Sequence, residues 1–380
     1  MASPAISKPP SSKPGEIPGW IYNVVLPILN LLAALVVSGI LILLIGENPI
    51  DALWVLIQGA FGYADNIGYT LYYATSLIFV GLGFAVAAHG GKFNIGGEGQ
   101  GYMGGLGIGL ACLYLGSTPW PIVMLVAIVG GAVFGGVWGL IPGYLAAKRG
   151  AHTVITTIMF NFIASALMTY LLVDVLIRPG QQNPESETFA ITSQLPQVRD
   201  ILLNFGINIP PNPLNVSFVI ALLCCVAVYF YIWRTRWGYE LRAVGQNEKA
   251  AVYAGISPTL ITIISMTVSG ALCGLMGLNV LMGDQHRIVL NFTAGLGFVG
   301  IAVALMGRNH PFGILLAALL FGALYQGGSQ LSFDIPVLNR DLVVVIQGLV
   351  ILFTGALENQ FKPYLEWTYR RLTRQTVKEA

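Results

Sequence analysis

Pro121–Ala147 reads PIVMLVAIVGGAVFGGVWGLIPGYLAA, 27 consecutive residues without a charged side chain. A helix rises about 1.5 Å per residue, so about 20 apolar residues cross a hydrocarbon core about 30 Å thick. This run is long enough to span a bilayer, and similar runs flank it on both sides. Apolar stretches set against polar breaks predict further segments near 21–45, 68–88, 97–116, 153–177, 214–233, 259–282, 288–306, 313–330 and 341–357. The 380 residues are 55% hydrophobic and only 9% charged, where an ordinary soluble domain carries about 25% charge. That balance excludes a soluble fold. The expected fold is an all-α polytopic membrane protein of about ten transmembrane helices over residues 21–357. A Pro/Ser-rich tail, 1–20, precedes it and a basic tail, 358–380, follows. The first apolar run is too long for a signal-peptide core and lacks a small-residue cleavage site, so it is read as a retained helix. The third, eighth and ninth segments are short or glycine-rich, so any of them could be a broken or re-entrant helix, which is tolerated where protein or a water-filled cavity covers the backbone.

The net charge of +2 hides an uneven distribution. With both termini in the cytoplasm, fifteen of the nineteen basic residues fall inside, and only Arg178, Arg199, Arg287 and Arg340 fall outside. An even number of spans satisfies the positive-inside rule in this way. The charge therefore reports topology rather than nucleic-acid binding. Cys112, Cys224, Cys225 and Cys273 lie within apolar runs with no partner at ligand spacing, and read as small core residues.

The sequence has no G-x-x-x-x-G-K-[ST] loop, no H-E-x-x-H and no G-x-S-x-G, so neither ATP hydrolysis nor another enzymatic activity is expected of this chain. His89, His152, His286 and His310 sit at predicted membrane edges on two different faces, which argues against a shared metal site. A secondary transporter would need paired acids in mid-membrane, and only Glu98 stands there. A carboxylate in a lipid-exposed helix costs at least about 2.5–3.5 kcal/mol, so Glu98 must face protein, water or a solute. Two readings stay open: a brace for a helix end near Lys92, or a part in the solute path or its gating. Asn161, Asn279, Asn291, Gln326 and Gln347 are further polar residues within spans, individually expected to hold helices together. A weak internal echo relates FNIGGEGQGYMGG, from Phe93, to LNFTAGLGFVGIA, from Leu290. On the expected topology the two begin at opposite faces, as an inverted repeat requires.

The loop WRTRWGYELRAVGQNEKAAVYAGISP, Trp233–Pro258, predicts a short cytoplasmic helix. Asn247 can cap it, Glu248 occupies its first turn, Gly255 can end it and Pro258 opens the next helix. Two turns are marginal in water, so something else must support them. The small Ala250, Ala251 and Ala254 would let a partner surface approach closely; the alternative is a plain loop helix packed on its own bundle.

Within that loop, RAVGQNEKAAVYAGI closely resembles the cytoplasmic coupling segment of ABC-importer permeases in the bacterial family that handles branched-chain amino acids, simple sugars and nucleosides. FNIGGEGQ, Phe93–Gln100, looks like the glycine-rich motif of the nucleoside and simple-sugar branch. HTVITTIMFNFIA, His152–Ala164, is similar to a segment of the same branch. The resemblance covers roughly residues 20–357. It implies a type II importer permease, multi-pass in a bacterial plasma (inner) membrane, paired with an identical or homologous second permease. ABC ATPase subunits, which use ATP and Mg, and an extracytoplasmic substrate-binding protein would complete the transporter. No cofactor is expected on this chain. By position the coupling loop, about 234–258, places ATPase contact at Arg242, Gly245, Asn247, Glu248, Ala250, Ala251 and Gly255. The glycine motif favours nucleosides over simple sugars as the solute. Polar wall groups and rings for such a solute are expected from Asn94, Glu98, Gln100, Tyr102, Phe160, Asn161 and Asn291. The outside segment Arg178–Pro213 is the expected docking surface for the binding protein.

Overall fold

The computed structural model describes residues 25–178, 180–353, 362–367 and 369. The 1–20 tail and most of the 358–380 tail lie outside the described residues. The chain divides into two compact units, one from the chain ends up to Pro49 and from Val344, the other from Ile50–Val343. In the first, α1 (Leu26–Ile45) buries a single stripe at every fourth position, Leu26, Asn30, Ala34, Ser38 and Ile42, and leaves Leu32, Val36 and Leu44 exposed.

The second unit is a helical assembly: α2 (Pro49–Phe61), α3 (Ala64–His89), α4 (Gly97–Tyr114), α5 (Trp120–Arg149), α6 (Thr153–Tyr170), α7 (Val198–Leu203), α8 (Ser217–Arg234), α9 (Arg236–Gln246), α10 (Glu248–Tyr253), α11 (Pro258–Gly274), α12 (Leu296–Met306) and α13 (Pro311–Asp334). The last helix, α14 (Arg340–Ile351), begins where this unit ends. Helices α6 and α11 are extended by π-helical turns at Leu171–Val175 and Leu278–Gln285. Among the described residues, seven helices are long and apolar enough to cross a membrane. The third, eighth and tenth expected segments correspond to α4, α12 and α14. The third begins at Gly97, as expected, and the eighth begins late, at Leu296, after a non-helical stretch. The ninth does not break: α13 is a continuous helix of 24 residues. Its glycines serve close packing instead, since a Cβ on Gly322 would lie 2.3 Å from Thr70 O and one on Gly327 2.2 Å from Leu56 O. Helix α2 was not expected, because Asp51 and Gln58 interrupt its 13 residues and only Ala52, Gly59 and Ala60 are buried.

Backbones of α4, α5 and α11 meet directly. A Cβ on Gly104 would sit 2.1 Å from Gly274 Cα, one on Gly135 2.4 Å from Gly270 O, and one on Gly139 2.4 Å from Met266 O. Small residues spaced by four along α5 (Gly131, Gly135, Gly139) and α11 (Gly270, Gly274) thus form the packing seam, as membrane helices do when no hydrophobic drive separates protein from lipid. The outward faces of α5, α6 and α8 carry exposed Leu125, Val129, Phe162 and Leu223, suited to lipid contact. The segment after α6 straps across the end of the α11 extension: Ser186 N donates to Ile288 O at 3.0 Å, Phe189 N to His286 O at 2.7 Å and Leu195 N to Met282 O at 3.0 Å. Arg287 and Glu185 pair there at 2.9 Å, and Lys92 pairs with Glu248 at 2.7 Å. Each pair joins residues that the charge distribution assigns to one side.

Candidate functional site

The expected coupling segment folds as two helices rather than one. Thr235 Oγ1 accepts from Gly238 N at 3.1 Å to start α9, and Asn247 Oδ1 accepts from Ala250 N at 3.1 Å to start α10. Gly255, at φ +77°, turns the chain out of α10, and Ser257 with Pro258 opens α11. The support that so short a helix needs comes from α3. A Cβ on Gly245 would lie 2.1 Å from His89 O and 3.0 Å from Gly91 N, so the end of α9 rests on the backbone that terminates α3. Lys92 Nζ, one residue further, donates to Glu248 Oε1 at 2.7 Å. Rings of His89, Trp233 and His310 close the same region, with centroids 5.2 Å and 4.9 Å apart across Trp233.

Of the expected contact residues, Asn247, Glu248, Ala250 and Gly255 are exposed, while Arg242 and Gly245 are partly covered. Ala251 differs from expectation. It is 3% exposed, turned into its own chain, and its small size lets α10 lie close to the bundle rather than admitting a partner. The outward face instead carries Lys249, Val252 and Tyr253, the last 94% exposed. A tyrosine standing wholly clear of its own fold is the signal that sequence reading passed over.

Lys92 leads directly into the stretch that sets the interior. Asn94 Oδ1 accepts from Gly96 N at 2.8 Å, and its Nδ2 donates to Gln100 Oε1 at 2.9 Å and to Ser269 Oγ, on α11, at 2.8 Å. From α6, Asn161 clamps the same turn, donating to Ile95 O and accepting from Gly99 N, both at 2.9 Å. Glu98, 8% exposed, does brace a helix end, but the end belongs to α12 and not to the Lys92 region. Its Oε1 accepts from Thr293 Oγ1 at 2.5 Å and Gly295 N at 2.9 Å, and its Oε2 accepts from Gly297 N at 2.8 Å. The carboxylate is balanced by the unpaired amides and positive dipole end of α12. The two echoing stretches therefore meet, with the first turn of α4 against that of α12.

Tyr102 donates to Asn291 Oδ1 at 3.0 Å and packs edge-on against Phe292, and Phe160 packs against Trp138. Asn279, from the π-helical turn, donates to Tyr72 O and Ser76 Oγ at 2.9 Å and accepts from Asn215 and Ser217, tying α3 to the start of α8. Of the seven expected path residues, only Asn291 lines the cavity of 370 Å³ bounded by α3, the π-helical turn and residues 289–296. The other six brace or pack elsewhere in this unit.

The family model described as branched-chain amino acid transport system / permease component matches residues 66–355. A nucleoside ABC transporter permease protein of Lactococcus lactis subsp. cremoris is 34% identical over 334 residues, 87% of this chain and 90% of its own. A guanosine ABC transporter permease protein of Bacillus subtilis is 33% identical, covering 88% and 94%. A glucose ABC transporter permease protein of Haloferax volcanii is 32% identical, covering 89% and 88%. With the Glu98 brace and the exposed α9–α10 segment lying inside the matched region, the chain belongs to this permease family and is a multi-pass membrane subunit of an ABC transporter.

Proposed function

We propose that this permease imports nucleosides, in a bacterial plasma (inner) membrane, with both termini cytoplasmic. It works with a second permease, identical or homologous, with ATPase subunits that use ATP and Mg, and with an extracytoplasmic binding protein that docks on the outer strap around 178–213. The chain itself holds no cofactor and does no chemistry. The observation that supports the ATP-driven part of the reading is the exposed face of α10, fastened to the stretch that enters the Glu98 brace, and the similarity to the nucleoside and guanosine permeases supports the solute. Arg242, Gly245, Asn247, Glu248, Ala250, Ala251 and Gly255 form or support the ATPase contact, with Tyr253 as its most prominent side chain. Reciprocity supplies the mechanism: if closing the ATPase dimer favours one arrangement of the bundle, that arrangement favours closure in return. Movement of α10 reaches Lys92 through its ion pair and His89–Gly91 through Gly245, and from there the start of α4.

Uptake of labelled nucleosides and simple sugars by proteoliposomes holding the whole transporter tests the reading. ATP-dependent nucleoside accumulation is the expected result. Accumulation of a sugar alone would move the solute to the alternative that the glucose permease relative favours, and uptake by this chain alone on an ion gradient would overturn the ABC mechanism.

Breaking the tether separates coupling from folding. Glu248→Lys faces Lys92 with a like charge, yet a part-exposed pair is worth only about 0.2–1 kcal/mol, so the melting temperature should barely change. ATP-driven uptake should fall severalfold, and the double exchange Lys92→Glu with Glu248→Lys should restore much of it. Full uptake by the single variant would remove this pair from the coupling path.

A further inference from the structure

The 370 Å³ cavity has chemistry that neither the coupling segment nor the interior brace uses. Pockets for one small molecule run about 300–1,000 Å³, so it suits a single solute. Tyr69, Tyr72 and Tyr73 project from α3 at helical spacing onto one wall. Opposite them stands Asp284, the one charged residue of the lining, at the end of the π-helical turn. Its Oδ2 accepts from Tyr72 Oη at 3.0 Å and Gln285 Nε2 at 2.9 Å. Its Oδ1 has no protein partner among the described residues.

The backbone around the cavity is held in uncommon conformations. Asn291 and Ala294, both in the lining, have φ of +59° and +45°. A left-handed alanine costs on the order of 1–3 kcal/mol and persists where its surroundings over-determine it. Glu98 does so here, gripping Thr293 and Gly295 on either side of Ala294. A π-helical turn and strained residues on one cavity are features that gather at functional sites.

We propose that this cavity is the membrane site of the transported solute, and that it takes a neutral molecule with a flat ring and adjacent hydroxyl groups. Asp284 Oδ1 accepts from the hydroxyls, and the α3 tyrosines cover the ring. The same carboxylate repels phosphorylated forms, so the site passes nucleosides and turns nucleotides away. This assignment deepens the nucleoside reading and rests on it only for the identity of the solute.

The test uses the whole transporter in proteoliposomes with the binding protein present. Asp284→Asn, which keeps the shape, should lower uptake at least about tenfold, the value of one hydrogen bond to a charged group. ATPase association and melting temperature should stay as in the parent. Tyr69→Leu should raise the half-saturating nucleoside concentration. Gln285→Cys, at the exposed rim, should react with a membrane-impermeant maleimide, and more slowly while a nucleoside is being delivered. If the parent moves only a sugar, the nucleoside reading fails, and the same variants assayed with that sugar still decide the cavity. Normal uptake of the parent's solute by both Asp284→Asn and Tyr69→Leu overturns the site, as does loss of uptake without any solute protection at position 285.

Discussion

Gly104→Ala should cost this permease about 3 kcal/mol of stability, the upper end of ordinary overpacking, for the addition of one methyl group. The new Cβ would lie 2.1 Å from Gly274 Cα and 2.6 Å from Gly274 O. Those are backbone atoms and cannot rotate away. Relief requires α4 and α11 to part, and α11 is already seated against α5, where Gly274 approaches Gly131 O and Gly270 approaches Gly135 O at 2.4 Å and 2.3 Å from their own notional Cβ atoms. Three helices therefore share the disturbance. Thermal unfolding in detergent should show a large fall for Gly104→Ala, while Gly348→Ala, with no atom within 4 Å of its notional Cβ, should show none. Equal melting of Gly104→Ala and the parent would mean that the α4–α11 contact is not backbone on backbone.

How far the sequence disclosed this arrangement depends on the range of the interaction. Long uncharged runs such as Pro121–Ala147 marked their helices because membrane length and composition are local properties. The α10 helix was legible for the same reason, since Asn247, Glu248 and Gly255 lie within little more than two turns of one another. Whether glycine-rich α13 is broken stayed open in the sequence, because glycine signals equally a relaxed backbone and a close neighbour, and only the position of Thr70 and Leu56 tells them apart. Ala251 was ambiguous likewise: small size is the same whether a side chain faces its own bundle, as it does here, or a partner. Glu98 was recognised as needing a partner, but Thr293 lies 195 residues away, and nothing local pointed to it. The cavity was the least legible feature. Tyr72 and Asp284 lie 212 residues apart, and nothing local to either marks them as neighbours.

Glu98 carries the second large effect, and its variants discriminate a brace from a group that handles solute or protons. Glu98→Leu strands Thr293 Oγ1, Gly295 N and Gly297 N in the interior. Each unsatisfied buried donor costs about 1–3 kcal/mol, so the loss should be on the order of 5 kcal/mol, enough to prevent stable assembly. Glu98→Gln keeps one acceptor oxygen but turns an amide donor toward a donor, so it should fall between the parent and Glu98→Leu. Because the braced turn also holds Ala294 in the cavity wall, uptake should decline in the same order as melting temperature: Glu, then Gln, then Leu. A solute-handling or proton-handling carboxylate would give a different pattern, with Glu98→Gln as stable as the parent, inactive, and altered in the pH dependence of uptake. Stability of Glu98→Leu equal to the parent's would remove the brace altogether. The ordered decline would tie the start of α4, and through Lys92 the coupling helix, to the strained loop at which the solute is proposed to rest.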